Sequence, residues 1–166
     1  MTTQPVNPPE FDKAMTLVLN RLGLSPFDPK PPAYRLNFGN ENPLYFIAKP
    51  GGWLEILTSV GCIDKDKADT VAPALLALQQ QQGDGALISI GMDSYNGKVS
   101  ARTRLRLSDC HPDDVIAAMQ ALRAHATAAS TLVDATRTQT KATSGSTAAG
   151  RNILLRSQIQ TRSATL

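Results

Sequence analysis

GALISIGMDSYNGKVSARTRLRL, residues 85–107, reads as two strands joined by a turn. Asn96-Gly97 suits a tight turn that needs positive φ, and the run after it alternates without a break. Val99, Ala101, Thr103, Leu105 and Leu107 point to one side, and Ser100, Arg102, Arg104 and Arg106 to the other. The first strand carries Leu87, Ile88, Ile90 and Met92, apolar on both faces, which places it in the sheet interior or at a subunit contact.

Working back from the hairpin, YRLNF (34–38) alternates, GNEN (39–42) turns, LYFIAK (44–49) alternates less cleanly, PGG (50–52) turns, and WLEILTSV (53–60) carries apolar groups both ways. This predicts a three-stranded antiparallel meander. Ahead of it, FDKAMTLVLNRLG (11–23) puts Phe11, Met15, Val18, Leu19 and Leu22 on one helical face, with Gly23 placed to end the helix in a left-handed residue. The intervening LSPFDPKPPA (24–33) has four prolines, which deny amide donors and fix φ, so it is a loop. Between meander and hairpin, DKDKADTVAPALLALQQQQG (64–83) predicts a helix capped by Asp69, with Val71, Leu75 and Leu78 flanked by Ala72 and Leu76 as its apolar stripe. Pro73 is tolerable there only within the first turn, where its missing N–H has no helical partner to lose.

After the hairpin, a last helix opens at HPDD (111–114): Pro112 suits its first position, and Asp113 and Asp114 favour the positive end of its dipole. Its stripe is Val115, Met119, Leu122, Ala126, Ala129 and Val133. From about residue 136 the text becomes TRTQTKATSGSTAAG, too poor in apolar groups to offset the entropy of ordering. The expected organisation is an α+β domain over residues 1–135 and a basic, disordered Thr/Ser/Ala-rich tail over 136–166. The domain runs α-β-β-β-α-β-β-α, with an antiparallel sheet of about five strands flanked by helices.

Charge follows the same division. Residues 137–166 hold five of the seventeen basic residues and none of the fourteen acids, so the rest of the chain is mildly acidic and the tail produces the net +3. The start, MTTQPVNPPE, lacks a basic region followed by an apolar block, and no apolar run approaches the ~20 residues needed to span a bilayer. No membrane insertion is expected. Cys62 and Cys110 form neither a disulfide framework nor a CxxC site, which suits a reducing cytosol.

Residues able to do chemistry do not converge. Cys110 and His111 are sequence neighbours entering a helix, an arrangement that does not bring nucleophile and base together. His125 has no His, Cys or carboxylate at ligand spacing, and DKDKAD (64–69) lacks the glycine and terminal glutamate of a calcium loop. Neither PGG (50–52) nor GDG (83–85) has the form of a phosphate-binding loop. The sequence therefore predicts no catalytic residue, no metal, no cofactor and no enzyme. Arg102, Arg104 and Arg106, together with the basic tail, supply the alternative of a nucleic-acid-binding regulator. Against it stand the acidic body and the lack of aromatic residues among these arginines.

The remaining signal is apolar surface. LYFIAKPGGWLEILTSVG (44–61) concentrates β-forming and aromatic side chains without any reactive set. Five strands and three helices cannot cover both faces and both edges of a sheet, so part of this surface is expected to meet another chain.

FDKAMTLVLNRLGL as first helix, LYFIAKPGGWLEILTSVG as second and third strands, DTVAPALLALQQQQG as second helix, the hairpin at 85–107 and HPDDVIAAMQALRAHATAASTLVD as last helix together resemble the class I type III secretion chaperones. The likeness covers roughly residues 10–135 and lies in element order and apolar spacing. It implies a homodimer in the bacterial cytoplasm, without enzymatic activity, that binds the N-terminal region of secreted effector proteins in extended form and yields it to the secretion ATPase. It further implies a subunit contact built from the second helix and ALISIGM (86–92), for which Leu75, Leu76, Leu78, Ile88 and Ile90 are the candidates. The candidate effector-binding residues are Phe11, Met15, Leu36, Phe38, Tyr45, Ile47 and Trp53. The high pI and the Thr/Ser/Ala tail depart from the family pattern.

Overall fold

The computed structural model describes residues 8–24, 33–39, 41–80 and 87–143. Its elements follow the predicted order: α1 (Pro9–Arg21), β1 (Ala33–Leu36), β2 (Leu44–Lys49), β3 (Trp53–Cys62), α2 (Ala68–Gln80), β4 (Ile88–Met92), β5 (Lys98–Arg106) and α3 (Pro112–Thr143). The five strands form one antiparallel sheet in the order β1-β2-β3-β5-β4. β3 and β5 pair along most of their length, so β5 sits inside the sheet and β4 ends up at its edge.

Register assigns the faces. Tyr34 stands opposite Phe46, Phe46 opposite Ile56, Ile56 opposite Thr103, and Thr103 opposite Ile88, so one row of side chains crosses all five strands on the same side. That side is sealed. Phe11 and Met15 of α1, Val71 and Leu75 of α2, and Val115, Met119, Leu122, Ala129 and Val133 of α3 pack with it into one core. Phe11, Phe46, Leu54, Ile56 and Leu122 are wholly buried, each contributing about 1.5–3 kcal/mol by leaving water. Thr58 and Thr103 are buried among them, and their hydroxyls donate to the carbonyls of Pro43 and Leu87.

Several local expectations are corrected. Pro73 lies in the second turn of α2, because a 3-10 turn at Lys65–Lys67 leads into the helix and starts it at Ala68. The ring is on the exposed side, where water can reach the carbonyl that lost its donor, while Val71 and Leu75 hold the other side in the core. Asp69 stands inside the first turn rather than capping it. The hairpin closes between Asp93 and Lys98, so the loop is longer than Asn96-Gly97 alone, and only Gly97 adopts positive φ (69°). β4 lies at the sheet edge, which removes the interior alternative and leaves that of a subunit contact. α3 runs on to Thr143, past the expected start of the tail; residues 144–166, and with them most of the basic segment, lie outside the described residues.

Candidate functional site

All three helices pack on one side of the sheet, and the other side carries no helix among the described residues. Strand alternation brings Tyr45, Ile47, Trp53 and Leu57 to that open side, each half-buried. Register then sets cations around them. Arg35 faces Tyr45 across β1–β2, its guanidinium 5.9 Å from the ring centroid. Arg106 faces Trp53 across β3–β5 and lies 4.7 Å from the indole.

Glu55 stands in the middle of this face with 5% of its side chain exposed. Lys49 donates to Oε1 at 3.1 Å and Arg104 to Oε2 at 2.8 Å, closing over the carboxylate from both neighbouring strands. Desolvation pushes the carboxyl up, but the two hydrogen bonds and the two charges together outweigh it and hold Glu55 below the usual carboxylate range. The face is thus a patch of apolar rings and branched chains fenced by cations, with the acid at its centre already paired.

Beside Tyr45, Leu57 and Arg102 the face drops into an open recess of about 790 Å³, floored by Ser59, Ser100 and Gly91. Gly91 has ordinary backbone φ, and a Cβ there would meet nothing within 4 Å. The recess is therefore open because the side chains at its floor are small, not because the backbone requires glycine.

A second apolar surface lies at the β4 edge. Leu76 on α2 is 59% exposed and Leu87, just before β4, is 76% exposed. Half-buried Leu78 and Ile90 belong to the same two elements. The edge backbone is partly occupied: the amide of Ile90 donates to Gln79 Oε1 at 3.2 Å, so α2 holds a hydrogen-bond position that a neighbouring strand would otherwise use.

The sequence candidates distribute unevenly. Tyr45, Ile47 and Trp53 come together on the open face. Phe11, Met15 and Leu36 lie in the core and have almost no surface to offer a partner. Phe38 stands apart beside α3, where Arg123 lies 4.5 Å over its ring and forms a bidentate pair with Glu41 at 2.8 and 2.7 Å. Of the proposed subunit-contact residues, Leu76, Leu78 and Ile90 reach the surface, while Leu75 and Ile88 are buried. Sequence reasoning missed Leu57, whose alternation with Trp53 was legible. It also missed Arg35, Glu55 and Gln79, whose partners lie on other elements.

The reactive residues have structural roles. Burial pushes the Cys110 thiol up, with Asp114 adding to the effect, the opposite of what an attacking thiolate needs. His111 Nδ1 accepts from the Asp113 amide at 3.4 Å, and Asp114 accepts from the His111 amide at 3.3 Å, a reciprocal closure of the α3 start. His125 Nδ1 lies 3.0 Å from the Ala121 carbonyl. Among the described residues no group of three or more His, Cys, Asp or Glu could hold a metal, and no helix is long and apolar enough to cross a membrane.

Solved structures share this architecture. The crystal structure of the Yersinia pestis type III secretion chaperone SycH with a stable fragment of YscM2 contains a chain similar to this one at TM-score 0.59 and 11% identity, over 71% of this chain and 98% of that one. The heterodimeric ExoU–SpcU complex of the Pseudomonas aeruginosa type III secretion system contains another, at TM-score 0.58 and 16% identity, over 70% and 94%. YbjN from E. coli, described as a candidate transcription regulator, matches at TM-score 0.53 and 12% identity, over 76% and 92%. No protein-family model matches the chain, and no curated protein matches it. Identities this low carry the architecture and leave the function to be argued from the surface. The chain has the fold of the type III secretion chaperones, as its element order implied.

Proposed function

We propose that the protein is a cytoplasmic bacterial chaperone, without enzymatic activity, that binds the N-terminal region of type III secreted effectors in extended form and keeps them export-competent. The open sheet face carries this reading: one side of the sheet is sealed by three helices, and the other leaves Tyr45, Ile47, Leu57 and Trp53 for another chain to cover. An extended client lying there loses little structure on binding, because the segment needs no fold of its own to present alternate side chains. On the same fold, the type III secretion chaperone SycH is solved with a fragment of YscM2 and SpcU with ExoU of a type III secretion system, which supports the choice of partner. The active form is a homodimer joined through α2 and β4, and release is assigned to the secretion ATPase.

Co-expression with N-terminal segments of candidate effectors tests this. A soluble complex of two chaperone protomers with one client is the expected product, with the client segment protease-sensitive when expressed alone. Failure to solubilise any segment across the secreted set would overturn the assignment.

A further inference from the structure

Charge on the open face is placed with more selectivity than a general apolar gripper needs. Its strand residues include Arg35, Lys49, Arg102, Arg104 and Arg106 against one acid, Glu55, although residues 1–136 taken together are mildly acidic. Lys49 and Arg104 are committed to Glu55. Arg102 and Arg106 are exposed and have no carboxylate partner among the described residues. They stand four positions apart on β5, hence about 13 Å, with the neutralised Arg104–Glu55 pair between them.

We infer that this face selects an extended polypeptide segment with acidic residues four positions apart and apolar residues between them, its carboxylates meeting Arg102 and Arg106. An extended segment lying along β5 repeats its same-side residues at the spacing of β5 itself, so residues i and i+4 reach the two arginines while i+2 meets the neutralised centre. The apolar side chains have Tyr45 and Leu57 as a wall and the recess over Gly91 as a seat. The inference rests on the proposed function, since it names the chemistry of the client.

Three observations favour a peptide of this composition over other occupants. A nucleic acid needs cations without interruption and open aromatic faces; here Glu55 breaks the cation array, Asp93 lines the recess, and Arg106 lies over the Trp53 ring. The chain's own tail, residues 137–166, carries five basic residues and no acid, so the same arginines repel it. A purely apolar segment would leave the two arginines unpaired beneath it.

Trp53 is the single tryptophan of the chain, so its emission reports on this face in the full-length protein. Synthetic peptides with valine and isoleucine around Glu at i and i+4, matched peptides with Lys at those positions, and a single-stranded oligonucleotide of similar length are titrated against it. The Glu peptide is expected to bind at least about tenfold tighter than the Lys peptide, and Arg102→Glu/Arg106→Glu is expected to remove that preference with the circular dichroism unchanged. Gly91→Val, which raises a branched side chain into the recess without altering charge, should weaken the Glu peptide in the same direction. Equal affinity for the two peptides, an unaltered affinity in the charge-reversed protein, or displacement of the Glu peptide by the oligonucleotide overturns the inference. If the charge-reversed protein still captures effector segments as well as the native one, the selectivity fails while the chaperone function stands. If the Glu peptide binds as expected but no effector segment is captured, the converse holds.

Discussion

Glu55 is an acid on an uncovered face, yet almost none of its side chain is exposed, because Lys49 and Arg104 close over it. Its carboxyl is held below the usual range, so the ionised form is favoured by folding. The stability it contributes is fully present above the unfolded carboxyl value of ~4.3 and is lost as pH falls through the lower folded value. Glu55→Gln should cost about 1–2 kcal/mol at neutral pH, less than a fully buried pair because both partners reach water. It should also flatten the acid limb of a plot of urea midpoint against pH. An acid limb identical to that of the native protein would mean that Glu55 is not a pH-sensitive element of the face. Gln79 has a different task, since its Oε1 occupies the Ile90 amide at the β4 edge. Gln79→Leu should cost about 0.5–1.5 kcal/mol and speed hydrogen exchange at Ile90, the amide that loses its acceptor. Unchanged protection at Ile90 would show that the contact does not close the edge.

The β4–β5 hairpin is the element on which both surfaces depend, since β5 carries the arginines and β4 the edge. Gly97 fixes its loop: φ is 69°, its amide donates to the Asp93 carbonyl at 2.8 Å, and its carbonyl accepts from the Ile63 amide at 2.9 Å, tying the hairpin to the end of β3. A Cβ at this position would overlap the carbonyl oxygen of Ile63, a backbone atom with no freedom to turn away. Gly97→Ala should therefore destabilise by at least about 2–3 kcal/mol, more than the left-handed conformation alone would cost, and thermal unfolding would register it as a clear drop in Tm. Elements like this were legible because period-two and helical spacing are written in adjacent residues; β2, β5 and the stripe of α3 fall where their alternation puts them. Periodicity says which side of a strand a residue takes, but not which strand lies beside it. Arg106 over Trp53 and Arg104 on Glu55 follow from β5 inserting next to β3, a choice made by sheet topology. For the same reason, the absence of aromatics between the arginines in sequence did not mean their absence beside them in space. Nor does apolar character reveal whether a surface is covered, which is how Phe11, Met15 and Leu36 appeared as binding candidates and proved to be core.

At the scale of the whole molecule, one layer of helices on one side of a sheet leaves two apolar regions uncovered, the open face and the α2–β4 corner, and the proposed function assigns each a different partner. The corner has little charge to orient a client: Leu76 and Leu87 project from it, Leu78 and Ile90 sit beside them, and Gln79 already holds an edge amide. Side-chain packing against an identical corner suits that chemistry better than strand addition, and a two-fold contact would double the apolar area that each leucine pair removes from water. A stable dimer hides about 800 Å² per protomer, so two large side chains near the centre of the contact should dominate it. Leu76→Asp/Leu87→Asp should therefore weaken self-association by about 100-fold or more, since both charges would have to be desolvated without partners. Leu17→Asp supplies the control for a single such charge, placed on a 44% exposed position of α1, a helix outside the α2–β4 corner. Sedimentation velocity over a range of concentrations reads the outcome: dimer for the native chain and for Leu17→Asp, monomer for the double variant. A native chain that stays monomeric removes the dimer altogether. A double variant that stays dimeric points to the open face, the other uncovered apolar region described above, and the client would then have to compete with the second subunit for Trp53 and its arginines.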